Sequence, residues 1–293
     1  MILVTGGTGL IGGEVLRRLS QAGVPVRALT RDLTKSRELP GVTWVAGDLA
    51  KPETLRAAFE GAGTLFLLTH YYEDMVELQH NAIAAARAAG VSHVVKVSAF
   101  AASGHSRAPI GRWHFQVEMT LQDSGMAWTM LRPHHFMQNL LAQAPYVIHE
   151  GVIYSASGDG RIPYVDARDV AAVAVAVLTT PGHFGKKYVV TGSEALSYRQ
   201  AAGIIGAVIG KPVQFVDESP EQAKVGALDA GVTLDDLLGV RGGEAVRQPK
   251  PEVIVQVGER LGAVRLALRA QAVQHPLVGR MRAGPRPAGE RAL

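Results

Sequence analysis

Residues Met1–Gly12, MILVTGGTGLIG, decide the fold. Ile2, Leu3 and Val4 make a short apolar run that reads as a buried strand, closed by Thr5-Gly6-Gly7. Leu10, Ile11, Val15, Leu16 and Leu19 then recur at helical spacing, so a helix follows at once. Between the two lie Gly6, Gly9 and Gly12, three residues apart. A strand, a glycine turn and a helix N-terminus together form a seat for a dinucleotide pyrophosphate. The glycines let the backbone turn and approach the phosphates, and the free N–H groups and helix dipole favour the anion. The candidate cofactor-binding residues are therefore Thr5, Gly6, Gly7, Thr8, Gly9, Leu10, Ile11 and Gly12, with a positive φ expected at Gly9.

Working outward, strand-like runs alternate with helical ones. Strands are expected at 2–5, 24–30, 42–46, 64–69, 93–98 and 127–131, and helices at 10–22, 52–60, 75–89 and 110–124. Most of the strands are apolar throughout, as in sheets covered on both faces, and parallel neighbours need helical crossovers. This predicts an α/β fold: a Rossmann-type doubly wound parallel sheet with a smaller C-terminal substrate lobe. The dinucleotide domain is placed at 1–150, the lobe with returning sheet elements at 151–275, and a disordered basic tail at 276–293. Further elements are a helix over 166–178 with Asp166 as N-cap, a strand over 187–191, and a helix opened by the capping box Ser197–Gln200. Val253, Val257, Leu261, Val264 and Leu268 share one helical face, giving a last amphipathic helix.

Composition narrows the function classes. The chain has 293 residues, 47% hydrophobic and 19% charged, enough for a sizeable core. Zero cysteines exclude disulfides, thiolate metal sites and a cysteine nucleophile, and fit a cytoplasmic setting. The opening strand starts at Met1, so no signal segment is expected, and no apolar run is long enough to span a bilayer. The net charge of +4 is concentrated: from Arg260 onward there are seven arginines against one acid, Glu290. Basicity confined to a tail without aromatics argues against a nucleic-acid surface.

The second strand ends in Ala28-Leu29-Thr30-Arg31-Asp32. Sites for NAD place an acid here for the ribose 2′-OH, whereas an arginine pairs with a 2′-phosphate. Arg31, reinforced by Lys35, favours NADPH; Asp32 is the acid if the strand ends one residue later, so NADH stays possible. Asp48 and Leu49 follow the third strand, where a carboxylate meets the adenine amino group and leucine its ring. Thr69 and Ser98 close the fourth and fifth strands at the ligand-bearing edge, facing the nicotinamide half or capping a turn.

The stretch 110–140, IGRWHFQVEMTLQDSGMAWTMLRPHHFMQNL, resembles the NmrA-like branch of the atypical short-chain dehydrogenase/reductases. So do TGGTGLIG, the Ala28–Asp32 stretch and 164–171, YVDARDVA. Within that branch it is similar to NAD(P)H azoreductases and, further off, to quinone and triphenylmethane reductases. The likeness runs from Met1 to about Lys224, and the GRxPRTFxEF-like stretch near the family's C-terminus has no counterpart after Ala223. A divergent lobe or a shifted reading frame would produce that departure. The resemblance implies hydride transfer to a small aromatic acceptor such as an azo compound or quinone.

The Tyr-x-x-x-Lys pair of classical members is missing from the 110–124 helix, which carries Trp113, His114 and Glu118 instead. His114 stands where some NmrA-like reductases have lysine, on the flank of the buried stripe where it could border the cleft. An imidazole there can donate a proton after hydride transfer. Ser98 is a second donor and solvent a third. Phe100, Trp113, His134, His135, Phe136, Met137 and Tyr164 are the residues to line an apolar acceptor slot, although each aromatic can equally be core. His134-His135 has no third ligand at recognisable spacing, so no metal is expected. No nucleic-acid or membrane partner is expected. A competing reading is a dinucleotide-binding redox sensor with little turnover.

Overall fold

The computed structural model describes residues 1–229 and 253–257. Strand β1 (Ile2–Val4), helix α1 (Leu10–Gln21), β2 (Val26–Thr30) and β3 (Val42–Ala46) open the chain. A 3-10 turn at Pro52–Thr54 runs into the short α2 (Leu55–Phe59), where one continuous helix was expected. Next come β4 (Thr64–Leu67), α3 (Met75–Ala88), β5 (His93–Val97), α4 (Pro109–Asp123) and β6 (Ala127–Pro133). The remainder is α5 (Ala144–His149), β7 (Val152–Ser155), β8 (Arg161–Ile162), α6 (Ala167–Thr179), β9 (Lys186–Gly192), β10 (Leu196–Ser197), α7 (Tyr198–Ile209), β11 (Gln214–Asp217), α8 (Pro220–Asp229) and β12 (Val253–Val257).

Eight strands form one sheet in the order β12-β9-β6-β5-β4-β1-β2-β3, and every neighbouring pair is parallel. The chain winds one way from β1 to β3 and the other way from β4, so the order reverses between β1 and β4. A reversal of this kind opens a crevice at the C-terminal ends of those strands. Helices cover both faces. On one side Phe59, Leu78, Ile83, Val117 and Leu121 pack against Leu65, Leu67 and Met130. On the other, Val15, Leu16 and Leu19 of α1 meet Val170, Ala174 and Val177 of α6 across Val4, Phe66 and Val95. At about 25 cal/mol per Å² of buried apolar area, these two layers are what drives the sheet to form.

The expected N-cap and capping box are both present. Asp166 accepts from the Arg168 backbone N–H, and Ser197 and Gln200 bond each other's main chain. A second core beyond β6 holds Met137, Leu140, Val147, Ile153, Tyr164, Leu196 and Ile205. It carries two small strand pairs, β7–β11 parallel and β8–β10 antiparallel. The helix expected from Val253 onward is corrected in part: 253–257 is a strand, VIVQV, added to the edge of β9. Val253, Val255 and Val257 alternate along it with the period of a strand, which five residues cannot separate from helical spacing by the i, i+4 pair alone. Leu261, Val264, Leu268 and the basic tail at 276–293 lie outside the described residues. Among the described residues no helix is long and apolar enough to cross a membrane.

Candidate functional site

The glycine turn sits at the β1 end of the crevice, and each glycine has its own reason. Gly6 is the left-handed residue, with φ of 67°. A Cβ there would also stand 2.8 Å from the Leu68 carbonyl oxygen. A Cβ on Gly12 would collide with the Gly6 carbonyl, so the first turn of α1 presses directly on the loop. The positive φ expected at Gly9 is corrected: Gly9 has φ −86° and ψ 179°, extended backbone open to any residue. What Gly9 supplies is the lack of a side chain at the N-cap of α1. No side chain caps this helix, and its first turn carries no acid. Thr8, Gly9 and Leu10 are exposed there, Leu10 at 61%. An uncapped twelve-residue helix behind a cradle that excludes side chains fits a dinucleotide's phosphates.

Thr5 fastens this cradle instead of facing it. It is buried, its hydroxyl donates to the Leu68 carbonyl at 2.8 Å, and the Leu68 N–H returns at 2.9 Å. Gly7 lies buried against Leu16 and Trp44, and Ile11 packs on the α1–α6 layer.

At the end of β2 the two rival residues part. The Asp32 carboxylate N-caps the 3-10 turn Leu33–Lys35, accepting from the Thr34 backbone N–H at 2.9 Å and the Thr34 hydroxyl at 2.6 Å. These two bonds hold its pKa below the usual aspartate value. Arg31 is exposed beside it. Asp48 caps its own turn by accepting from the Ala50 N–H, Leu49 is buried, and the Leu49 carbonyl is held by Asn81 of α3. Thr69 accepts from Gln79 of α3 at 2.8 Å and donates to the His70 carbonyl.

Farther along the crevice, three strand ends hold a shelf of flat rings. The Phe100 N–H bonds the Pro133 carbonyl, and the His134 N–H bonds Val190 on β9. The Phe100 and His134 rings lie 4.4 Å apart, and His135 follows at 5.3 Å from His134. Phe136 bridges to Val165 and is half-buried, as is Trp113 on α4. Met137 and Tyr164 belong elsewhere. Both are buried in the lobe core, where Tyr164 meets Tyr198 edge-on, and burial raises the tyrosine pKa.

Below the shelf is a buried charged cluster. Glu118 of α4 is 0% exposed and receives Arg132 of β6 through Nε at 2.9 Å and Nη2 at 2.5 Å. Ser98 Oγ donates to the same carboxylate at 2.5 Å, and Lys187 stands 3.7 Å away. Lys96, fully buried in β5, bonds the Val97 carbonyl and His114 Nδ1 at 2.8 Å. Burial, only partly countered by Glu118, pushes the Lys96 ammonium down to about 7. His114 is driven well below its ordinary value by burial and by Lys96 and Arg132. The expected position of His114 on a flank bordering the cleft is thus corrected: it is buried, and its ring is tied to Lys96. The hydroxyl proton of Ser98 is likewise committed to Glu118. The sequence reading missed Lys96 and Arg132. The available signal was a cation inside each of two apolar strands, HVVKV and AWTMLRP, since buried charges are retained only when paired.

An open parallel sheet with a glycine cradle at its switch point defines a dinucleotide-binding protein. More narrowly, the chain belongs to the NmrA-like family, whose model matches residues 1–235. It is 46% identical over 226 residues to an NAD(P)H azoreductase of Xenophilus azovorans, covering 76% of this chain and 79% of that one. Among solved structures it resembles an NADPH-dependent quinone oxidoreductase of Escherichia coli complexed with NADPH, at a TM-score of 0.75 and 31% identity, over 82% of this chain and 87% of that one. It also resembles the Citrobacter sp. triphenylmethane reductase complexed with NADP(H), at a TM-score of 0.72 and 29% identity over the same shares.

Proposed function

We propose that this chain is an NADPH-dependent reductase that delivers hydride to a small planar acceptor, an azo compound or a quinone. The observation that carries the reading is the uncapped N-terminus of α1 behind the Gly6–Gly12 cradle, with Arg31 exposed at the next strand end and Asp32 spent on its own turn. The cradle residues would hold the pyrophosphate, Arg31 and Lys35 the 2′-phosphate, and Asp48 with Leu49 the adenine. The bound nicotinamide supplies the hydride. Phe100, His134, His135 and Phe136 would orient a flat acceptor against it, so that positioning contributes most of the rate. The names of the relatives above support the acceptor class, and the absence of cysteine suits a cytoplasmic setting.

The test is NADPH oxidation against a panel of azo, quinone and triphenylmethane acceptors. Turnover with at least one aromatic acceptor, faster with NADPH than with NADH, is the expected result. Tight NADPH binding with no acceptor-dependent oxidation would overturn the reductase reading in favour of a redox sensor.

A further inference from the structure

The shelf contains a hydrogen-bond donor whose identity the backbone decides. The His135 backbone N–H donates to His134 Nδ1 at 2.9 Å. A main-chain N–H can only donate, so Nδ1 is the bare nitrogen and the ring proton sits on Nε2. Among the described residues none accepts from that Nε2–H. The ring is held in place, because the His134 backbone N–H is tied to the Val190 carbonyl, Phe100 lies beside the ring at 4.4 Å between centroids, and 135–137 is clamped to Val165 by two main-chain bonds. His134 follows β6, three strands from β1, which puts it roughly 14 Å along the crevice from the glycine cradle at about 4.8 Å per strand. That is the side where the second half of a dinucleotide lies when its pyrophosphate rests on α1.

We propose that His134 is a catalytic residue: its Nε2–H hydrogen-bonds the acceptor atom on which negative charge develops as hydride arrives. The proposal rests on the reductase reading above. In the reaction the acceptor takes up one hydrogen nucleus with an electron pair from the reduced nicotinamide, which is oxidised. The π pair of the N=N or C=O bond moves onto the second atom, beneath the His134 N–H. That anion takes its proton from water, the hydroxide goes to solvent, and His134 keeps its own proton. Such a fixed donor does the work of an oxyanion hole and removes the need for Tyr-x-x-x-Lys. Its neutrality has a structural cause, since protonating Nδ1 would break the bond from His135. Of the two rings beside it, Phe100 and His135, only His135 titrates. Burial, with His135 adding to it, brings the His134 pKa down to about 4, so the donor form is unchanged across neutral pH.

The test uses the full chain saturated with NADP⁺ and reads binding as well as turnover. 2,4-Dinitrophenolate, an anionic ring, should bind about tenfold or more tighter than neutral 1,3-dinitrobenzene, because hydrogen bonds to charged groups are the stronger ones. H134F keeps a ring against Phe100 but has no N–H, so it should lose that preference. It should also lower kcat about 100-fold with NADPH affinity within twofold. H134Q, which keeps a side-chain N–H, should restore part of both. Nitrogen-15 NMR of the wild type should show Nε2 protonated and Nδ1 bare from pH 6 to 8, a readout that stands even if H134F does not fold. Phenolate preference retained in a folded H134F, or a His134 ring that titrates near its ordinary value, would overturn the proposal. If the wild type reduces no acceptor, the reductase reading fails on its own, and the phenolate and NMR arms still decide the role of His134.

Discussion

Replacing Glu118 by glutamine removes the carboxylate on which Arg132, Ser98 and Lys187 converge. The side chain is nearly isosteric, so the change is one of charge and hydrogen bonding rather than of shape. Glu118 is 0% exposed and Arg132 4%, so water cannot take over for the missing charge. Removing one partner of a buried pair costs about 3–5 kcal/mol, because the other charge keeps its desolvation penalty. In a domain of this size that is a fall in Tm of about 6–20 °C. The natural control is Glu14→Gln. Glu14 pairs with Arg17 and Arg18 on the outside of α1 at 2.5 and 2.8 Å, as short as the buried contacts, yet those arginines are about 43% and 35% exposed. Glu14 itself is 14% exposed, so water reaches both sides of this pair and its loss should cost far less than that of the buried one, about the 0–1 kcal/mol of solvated pairs. Both variants are compared by calorimetry and urea unfolding in one buffer. A Glu118→Gln protein no less stable than Glu14→Gln would refute the argument that burial, and not bond length, sets the energy.

Two further outcomes follow from the same geometry. Arg31→Ala should weaken NADPH by about 1.5–3 kcal/mol, the range for a hydrogen bond to a charged group, and leave NADH nearly unchanged by fluorescence titration; equal losses would make Arg31 structural. Stability should also fall on acidification. Burial, with His183 adding to it, lowers the His93 pKa from 6.5 to about 4, so the unfolded chain takes up a proton that the folded chain refuses. The urea midpoint should therefore drop between about pH 6.5 and pH 4, and His93→Gln should blunt that slope.

The main sheet was legible because its strands are apolar throughout and its helices carry amphipathic stripes. Val42–Ala46 matched the expected range, and Ile2–Val4, Val26–Thr30 and His93–Val97 fell within two residues of theirs. Asp166 and Ser197 were legible as caps because capping is local chemistry between residues two or three apart. The lobe was not. Its strands are two to four residues long, such as VIYS and QFVD, and Gln214–Asp217 pairs with a partner about sixty residues earlier, so no local pattern marks either. The same reason hid the charged cluster. Lys96 and His114 are eighteen residues apart, and Glu118 and Arg132 fourteen, and only the sheet brings β5 and β6 beneath α4. Where sequence logic named the right loop but the wrong residue, as with the left-handed glycine, the cause was backbone geometry. Gly6 turns the chain off β1 and Gly12 admits the close approach, while Gly9 keeps the helix end bare.

The central claim is that a dinucleotide binds at the bare N-terminus of α1, and Gly9→Val tests it most directly. Valine is allowed by the extended backbone of Gly9, and its Cβ would stand 3.3 Å from the Gly6 carbonyl oxygen, which a shift of a few tenths of an ångström in this exposed loop relieves, so circular dichroism should report an unchanged fold. Its branched side chain would stand where the pyrophosphate must approach the helix N–H groups. Cofactor fluorescence titrations on the same sample should then show NADPH and NADH losing affinity together, since both share that group. A folded Gly9→Val protein that binds both cofactors as tightly as the wild type would contradict the account.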